Sequence, residues 1–138
     1  MNGLPIVFDR DLLALRRQRA LAAPSDFLLA HVAADLVERL SAVRRDFAMA
    51  ADIGTPLPTL AAALAASGRV ERTLWLAPSA AAAATYPGAS VVGDEEALPF
   101  ADHSLDLAVS ALSLHFVNDL PGTFAQIRRA LRPDGLFL

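Results

Sequence analysis

The residues best suited to chemistry fall in three short stretches. The first is Asp52-Ile53-Gly54, which closes an apolar run beginning at Ala48 and passes through Thr55-Pro56-Leu57-Pro58-Thr59 into alanine-rich sequence. A buried strand, a glycine turn and a helix N-terminus are how an open α/β sheet lines a cofactor site at the carboxyl ends of its strands. Asp52 either orients the loop and an amine of a bound cofactor or is satisfied by its own turn amides. Gly54 serves a tight turn in both cases. Pro56 and Pro58 work against an anion here, because each removes a backbone N–H that would face it. The second stretch, Gly93-Asp94-Glu95-Glu96, is an acidic exit from a short strand. The third holds His115, an imidazole that can act as a base near neutral pH, touch a substrate or serve structure alone. His31 and His103 stand far from it and share no ligand spacing with carboxylates, so no metal site is expected.

These stretches need elements to hold them. Leu12, Leu13 and Leu15 set against Asp11, Arg16, Arg17 and Arg19 predict a short amphipathic helix ended by Pro24. Ser25 is expected to cap a second helix running to about Leu40, with Leu28 or Leu29, Val32, Leu36 and Leu40 on one stripe. Both precede the first strand and are expected to form a lid or flanking layer. Strands are expected at 48–53, 73–76, 91–92 and 105–110, with alanine-rich helices over 60–66 and 80–85 between the first three. Pro121 suits the first turn of a helix striped by Phe124, Ile127 and Leu131, whose carboxyl end carries Arg128, Arg129 and Arg132. Pro133-Asp134-Gly135 reads as a turn, and Leu136-Phe137-Leu138 as the start of a fifth strand. Alternating strands and helices at this spacing predict βαβ units in a mostly parallel sheet with right-handed crossovers. The expected division is a helical flank over 1–46 and a partial sheet domain over 47–138.

Composition narrows the function classes. The chain has 138 residues, 54% of them hydrophobic, enough for one core. Its net charge is -3 and every basic residue is arginine, so nothing points to nucleic acid or an anionic membrane. Without cysteine it has neither disulfides nor thiolate ligands. No stretch is apolar enough to span a bilayer, and the opening residues lack the continuous apolar core of a secretory signal, so a soluble cytoplasmic protein is expected. An amphipathic mitochondrial presequence is the alternative.

The run VVGDEEALPFADHSLDLAVSALSLHFVNDLPGTFAQIRRALRPDG, residues 91–135, closely resembles the class I S-adenosylmethionine-dependent methyltransferases. Within that family it is most similar to the subgroup of the biotin-synthesis pimeloyl-carrier methyltransferase and the mitochondrial assembly factor of complex I. The stretch from Ser113 to Pro121 carries much of the likeness. The resemblance implies an α/β, Rossmann-like sheet in the order 3-2-1-4-5-7-6, with the carboxyl-terminal strands missing or truncated here. It implies S-adenosylmethionine as cofactor, met by Asp52 and Gly54 of the first strand motif, by Asp94 and Glu95 after the third strand, and by the backbone near Leu112. Asp94 would lie near the adenine amine, and residues 110–114 beside the methionine part.

Two positions depart from the family pattern. Loop glycines are replaced by Pro56 and Pro58, and the acidic residue that grips the ribose hydroxyls corresponds to Ala77. Each charged hydrogen bond lost costs about 1.5–3 kcal/mol, enough to move a micromolar site toward millimolar. The expectation is therefore a methyltransferase or methyltransferase-like protein that holds its cofactor weakly or not at all, with a small-molecule or carrier-bound acceptor. The catalytic residues are left open. The alternative is a non-catalytic assembly or binding protein that keeps the sheet, with self-association or a protein partner. Arginine hydroxylation, from the complex I relative, ranks below both.

Overall fold

The computed structural model describes residues 3 and 5–138. Five parallel strands, β1 (Phe47–Ile53), β2 (Val70–Ala77), β3 (Ser90–Val92), β4 (Leu105–Val109) and β5 (Leu131–Phe137), lie in the order β3-β2-β1-β4-β5. β1 and β4 sit centrally and read as nearly continuous apolar runs because helices cover both faces. The order agrees with the one the family resemblance implies. Asp106 is buried at the start of β4, where it accepts the Met49 amide at 2.9 Å and pairs with Arg132 at 3.0 Å.

One face carries α2 (Phe27–Ser41), α3 (Thr59–Ala66) and α4 (Ala80–Ala83). Leu29, Ala33 and Leu40 of α2 enter a single cluster with Phe47, Ala50, Leu60, Leu64, Leu107 and Val109. The opposite face packs Ile127 and Ala130 of α5 (Leu120–Ala130) onto Ala51, Ile53, Leu76 and Ala108. α5 begins as expected, with proline in its first turn and the Asp119 carboxylate capping Gly122 N at 2.9 Å.

The expected Ser25 cap is not formed. Asp26 takes the cap position of α2 and makes no side-chain capping bond, so α2 is held by its apolar stripe. β5 also differs in detail, because it starts at Leu131, opposite Leu105, and resumes pairing at Leu136 opposite Leu107. Residues 132–135 bulge between those points, so the expected turn is an interruption within the strand.

The larger departure is α1 (Arg10–Ala20). The sequence pattern turns its leucines inward and its arginines outward. In the structure no residue of α1 is buried, Leu12 and Leu15 are 41% and 42% exposed, and Arg17 points toward the sheet. A buried carboxylate needs a counter-charge more than three leucines need further cover, and α1 supplies two guanidinium groups to one.

Candidate functional site

The site forms where β1, β2, β3 and β4 end. Gly54 turns the chain out of β1 at φ +71°, conformational space that glycine enters without strain. The turn is bolted from three sides. Ser110 Oγ donates to the Ile53 carbonyl at 2.7 Å, Trp75 Nε1 donates to the Thr55 carbonyl at 3.0 Å, and the Ala111 amide donates to Thr55 Oγ1 at 3.1 Å. The segments after β1 and β4 are therefore tied together by hydrogen bonds. Trp75 is the core aromatic that its strand position predicts, fully buried and edge-on to Tyr86 at 5.9 Å.

Asp52 lies beneath this turn, fully buried. Thr55 Oγ1 donates to its Oδ1, and Oδ2 has no partner among the described residues. Burial pushes the Asp52 carboxyl up to about 7, against the opposing pull of the Thr55 hydroxyl and the Ala61 amide. Asp52 thus shapes the loop from below. Of the two roles the sequence leaves open for it, full satisfaction within its own turn is not what the structure shows, since one carboxylate oxygen is unpartnered.

Asp94 and Glu95, adjacent in sequence, do different work. Asp94 is half exposed; its Oδ1 accepts the Glu96 amide at 2.8 Å and Arg10 Nη2 at 2.8 Å. Glu95 is buried with its side chain against Gly54, leaving no room there for a Cβ. Its carboxylate takes Arg10 Nη2 at 2.6 Å, Arg17 Nη1 at 3.3 Å and the Ser113 hydroxyl. Burial alone would raise the Glu95 carboxyl. The Ser113 hydroxyl, a backbone amide and the two guanidiniums reverse that and hold it below the usual carboxylate range.

Glu96 turns away and accepts the amides of Asn118 and Asp119, bracing the crossover after β4. Leu112 stands in that crossover at φ +54°, half-buried against the α2–α3 face, beside Ser113. His115 is exposed, its ring 4.1 Å from that of Phe116. Among the described residues no group of three His, Cys, Asp or Glu side chains could hold a metal, and no helix is long and apolar enough to cross a membrane.

Gly54, Asp94, Glu95 and Leu112 are therefore brought to one place from three separate segments. Arg10, Arg17 and Asn118 join them without having been singled out from sequence. Asn118 Oδ1 accepts the amides of Val7 and Phe8 at 2.8 Å, tying the segment before α1 to the crossover. A signal for the arginines existed. Arg10 and Arg17 are seven residues apart, about two helical turns, and so share a face.

The family-implied cofactor can be tested against these side chains. Gly54, the Asp94 carboxylate and the backbone at Leu112 offer the chemistry required by a sulfonium amino acid joined to adenosine. The position that the resemblance assigns to the ribose does not, since Ala77 is fully buried with Ala61, Trp75 and Ala82, and Leu21 packs on that cluster. With α1 in place the cavity under it, lined by Leu13, Ala14, Pro78 and Gly93 as well as the charged groups, measures about 170 Å³. The donor set fits in part, while α1 and Glu95 take up the volume.

A family model described as a methyltransferase domain matches residues 51–138. The chain is 35% identical over 144 residues to a mitochondrial arginine-hydroxylase of Danio rerio, covering 96% of this chain and 44% of that protein. It is 33% identical over 107 residues to malonyl-acyl-carrier-protein O-methyltransferase 1 of Coxiella burnetii, covering 78% of this chain and 38% of that one. A methyltransferase of Haloferax volcanii, solved with the Trm112 methyltransferase activator, superimposes with a TM-score of 0.67 at 24% identity, over 92% of this chain and 56% of that one. The last likeness is one of fold. The chain spans less than half the length of the curated vertebrate relatives it matches. Those relatives are mitochondrial, which overturns the expectation of a cytoplasmic protein.

Proposed function

Because this chain belongs to the methyltransferase-domain family, matched over residues 51–138, we propose that it is an S-adenosylmethionine-dependent methyltransferase domain acting on a small-molecule or carrier-bound acceptor. The observation that carries this reading is one continuous set of contacts across three strand ends. The glycine turn after β1 lies against Glu95 after β3, and Glu95 bonds Ser113 after β4. Ligands of open α/β sheets bind in this crevice.

Gly54 allows close approach, Asp94 accepts from an adenine amine, and the backbone near Leu112 borders the amino-acid end. Asp52 sets the loop from beneath. The cofactor supplies an electrophilic methyl group, so an electron-rich carboxylate or thiolate acceptor requires proximity more than a strong base. His115, exposed on the crossover beside Phe116, is then an acceptor contact. The carrier-bound class draws support from the acyl-carrier relative. Hydroxylation belongs by name to proteins more than twice this chain's length.

A second reading rests on the ribose position. Ala77 offers no carboxylate, and Pro56 and Pro58 offer no amides, which suits a protein that keeps the sheet as an assembly or binding module. Methyl transfer from labelled cofactor to carboxylic acids, acyl carriers and mitochondrial extract separates the two. Incorporation that Asp94→Ala lowers about tenfold or more, the loss expected of one charged hydrogen bond, supports the enzyme. No incorporation by the unmodified chain supports the binding module.

A further inference from the structure

The groove outlined by Gly54, Asp94, Glu95 and Ser113 is filled from within. Glu95 is 3% exposed, and a carboxylate taken that far from water is costly unless it is paired on several sides. The pairing is dense. Arg10 approaches one oxygen at 2.6 Å; Arg17, at 3.3 Å, and the Ser113 hydroxyl approach the other. Arg17 Nη2 also reaches Ser113 Oγ at 3.5 Å, and Arg10 Nη1 donates to the Phe116 carbonyl at 3.2 Å.

Both arginines come from α1, a helix that buries no side chain of its own. Apolar contact anchors mainly its two ends, Leu21 on the Ala77 cluster and Phe8 edge-on to Phe116, and these polar bonds, with the Asn118 clasp on Val7 and Phe8, hold its middle across the strand ends. The space left beneath α1 is about 170 Å³, whereas small-molecule sites usually measure roughly 300–1,000 Å³.

We infer that Glu95 is a resident competitor for the cofactor groove: its carboxylate engages Arg10, Arg17 and Ser113 and thereby pins α1 over the strand ends, and a ligand enters by displacing it from those donors. This corrects the simple assignment of Glu95 as a cofactor-binding residue. It rests on the reading of the groove as an S-adenosylmethionine site and adds what sets its affinity. The low affinity expected from Pro56, Pro58 and Ala77 then has a second source, and this one a single substitution can remove. Two guanidiniums and a hydroxyl around one carboxylate also form a donor set that a ligand's own carboxylate can take over.

The test is calorimetric titration of the chain with S-adenosylhomocysteine, comparing the unmodified protein with Glu95→Ala and Glu95→Gln. Glu95→Gln keeps the side-chain volume, and thermal melts establish that both variants fold. In parallel, limited trypsin digestion reads α1 directly, because the helix carries Arg10, Arg16, Arg17 and Arg19. The expected result is binding about fivefold tighter or more in Glu95→Ala, corresponding to one lost charged competitor, with α1 cleaved several-fold faster in both variants. Binding that is unchanged or weaker in Glu95→Ala while the unmodified chain binds overturns this inference and leaves the cofactor reading standing. Unchanged cleavage in both variants overturns the pinning of α1. No binding by any of the three proteins overturns the cofactor reading itself and, with it, the role of Glu95 as competitor.

Discussion

Two buried residues beside the Gly54 turn make opposite electrostatic statements. Glu95 is surrounded by donors and stays ionised; Asp52 has one hydroxyl, a nearby amide and an unpartnered oxygen, and titrates near 7. A carboxyl whose folded value lies above its unfolded value binds protons more tightly in the native state, so its contribution to stability declines as pH rises between the two. For Asp52 that window runs from about 4 to about 7, and the cost is fully present above it. Asp52→Asn is expected to flatten this decline, worth about 4 kcal/mol at most, as read from urea unfolding at pH 4.5 and pH 7.5. A variant that loses stability across the window as steeply as the parent would show that Asp52 is not the group responsible. Gly54 gives a second expectation, because both its φ of +71° and the Glu95 side chain oppose a Cβ. Gly54→Ala should cost about 1–3 kcal/mol, and less in a Glu95→Ala background, where only the backbone strain remains. Equal costs in the two backgrounds would mean that the contact with Glu95 carries no energy.

The helices differ in how well their sequences announced their surroundings. In α2 the apolar stripe was legible, and Leu40 at its end is fully buried between α3 and the sheet. In α1 the same kind of stripe pointed the wrong way. Periodicity identifies which residues share a face, but the choice of inward face depends on what lies beneath, and beneath α1 lies an acidic residue 85 positions away from Arg10. Ser25 failed as a cap for a related reason, since burial of one face can hold a helix whose first turn is uncapped. Leu40→Ala is therefore expected to cost about 2–4 kcal/mol, whereas Leu15→Ala on the exposed side of α1 should stay within about 0.5 kcal/mol. Denaturant titration of the two variants checks this, and a large loss from Leu15→Ala would restore the inward-leucine orientation of α1.

Across the whole molecule, a mostly parallel sheet of βαβ units followed from alternating apolar runs and helix signals, whereas the order β3-β2-β1-β4-β5 and the placing of Gly54, Asp94 and the crossover at one end of the sheet were what the family resemblance implied. Local pattern suffices for the parallel sense because each βα unit is short and each crossover has one favoured hand. What stayed hidden was set by contacts between distant segments: Arg10 and Arg17 on Glu95, Asn118 on Val7 and Phe8, and the interrupted pairing of β5. On the proposed reading the same end of the sheet would hold the cofactor with its ribose position closed by Ala77, and weak binding is what that reading predicts. The most direct measurement is an equilibrium titration of the chain with S-adenosylmethionine, run beside Asp94→Ala. Saturable binding is expected with Kd between about 10 μM and 1 mM, weakened about tenfold by the substitution, in line with one charged hydrogen bond lost. Absence of saturation at millimolar ligand, or saturation indifferent to Asp94, would contradict a cofactor site at these strand ends.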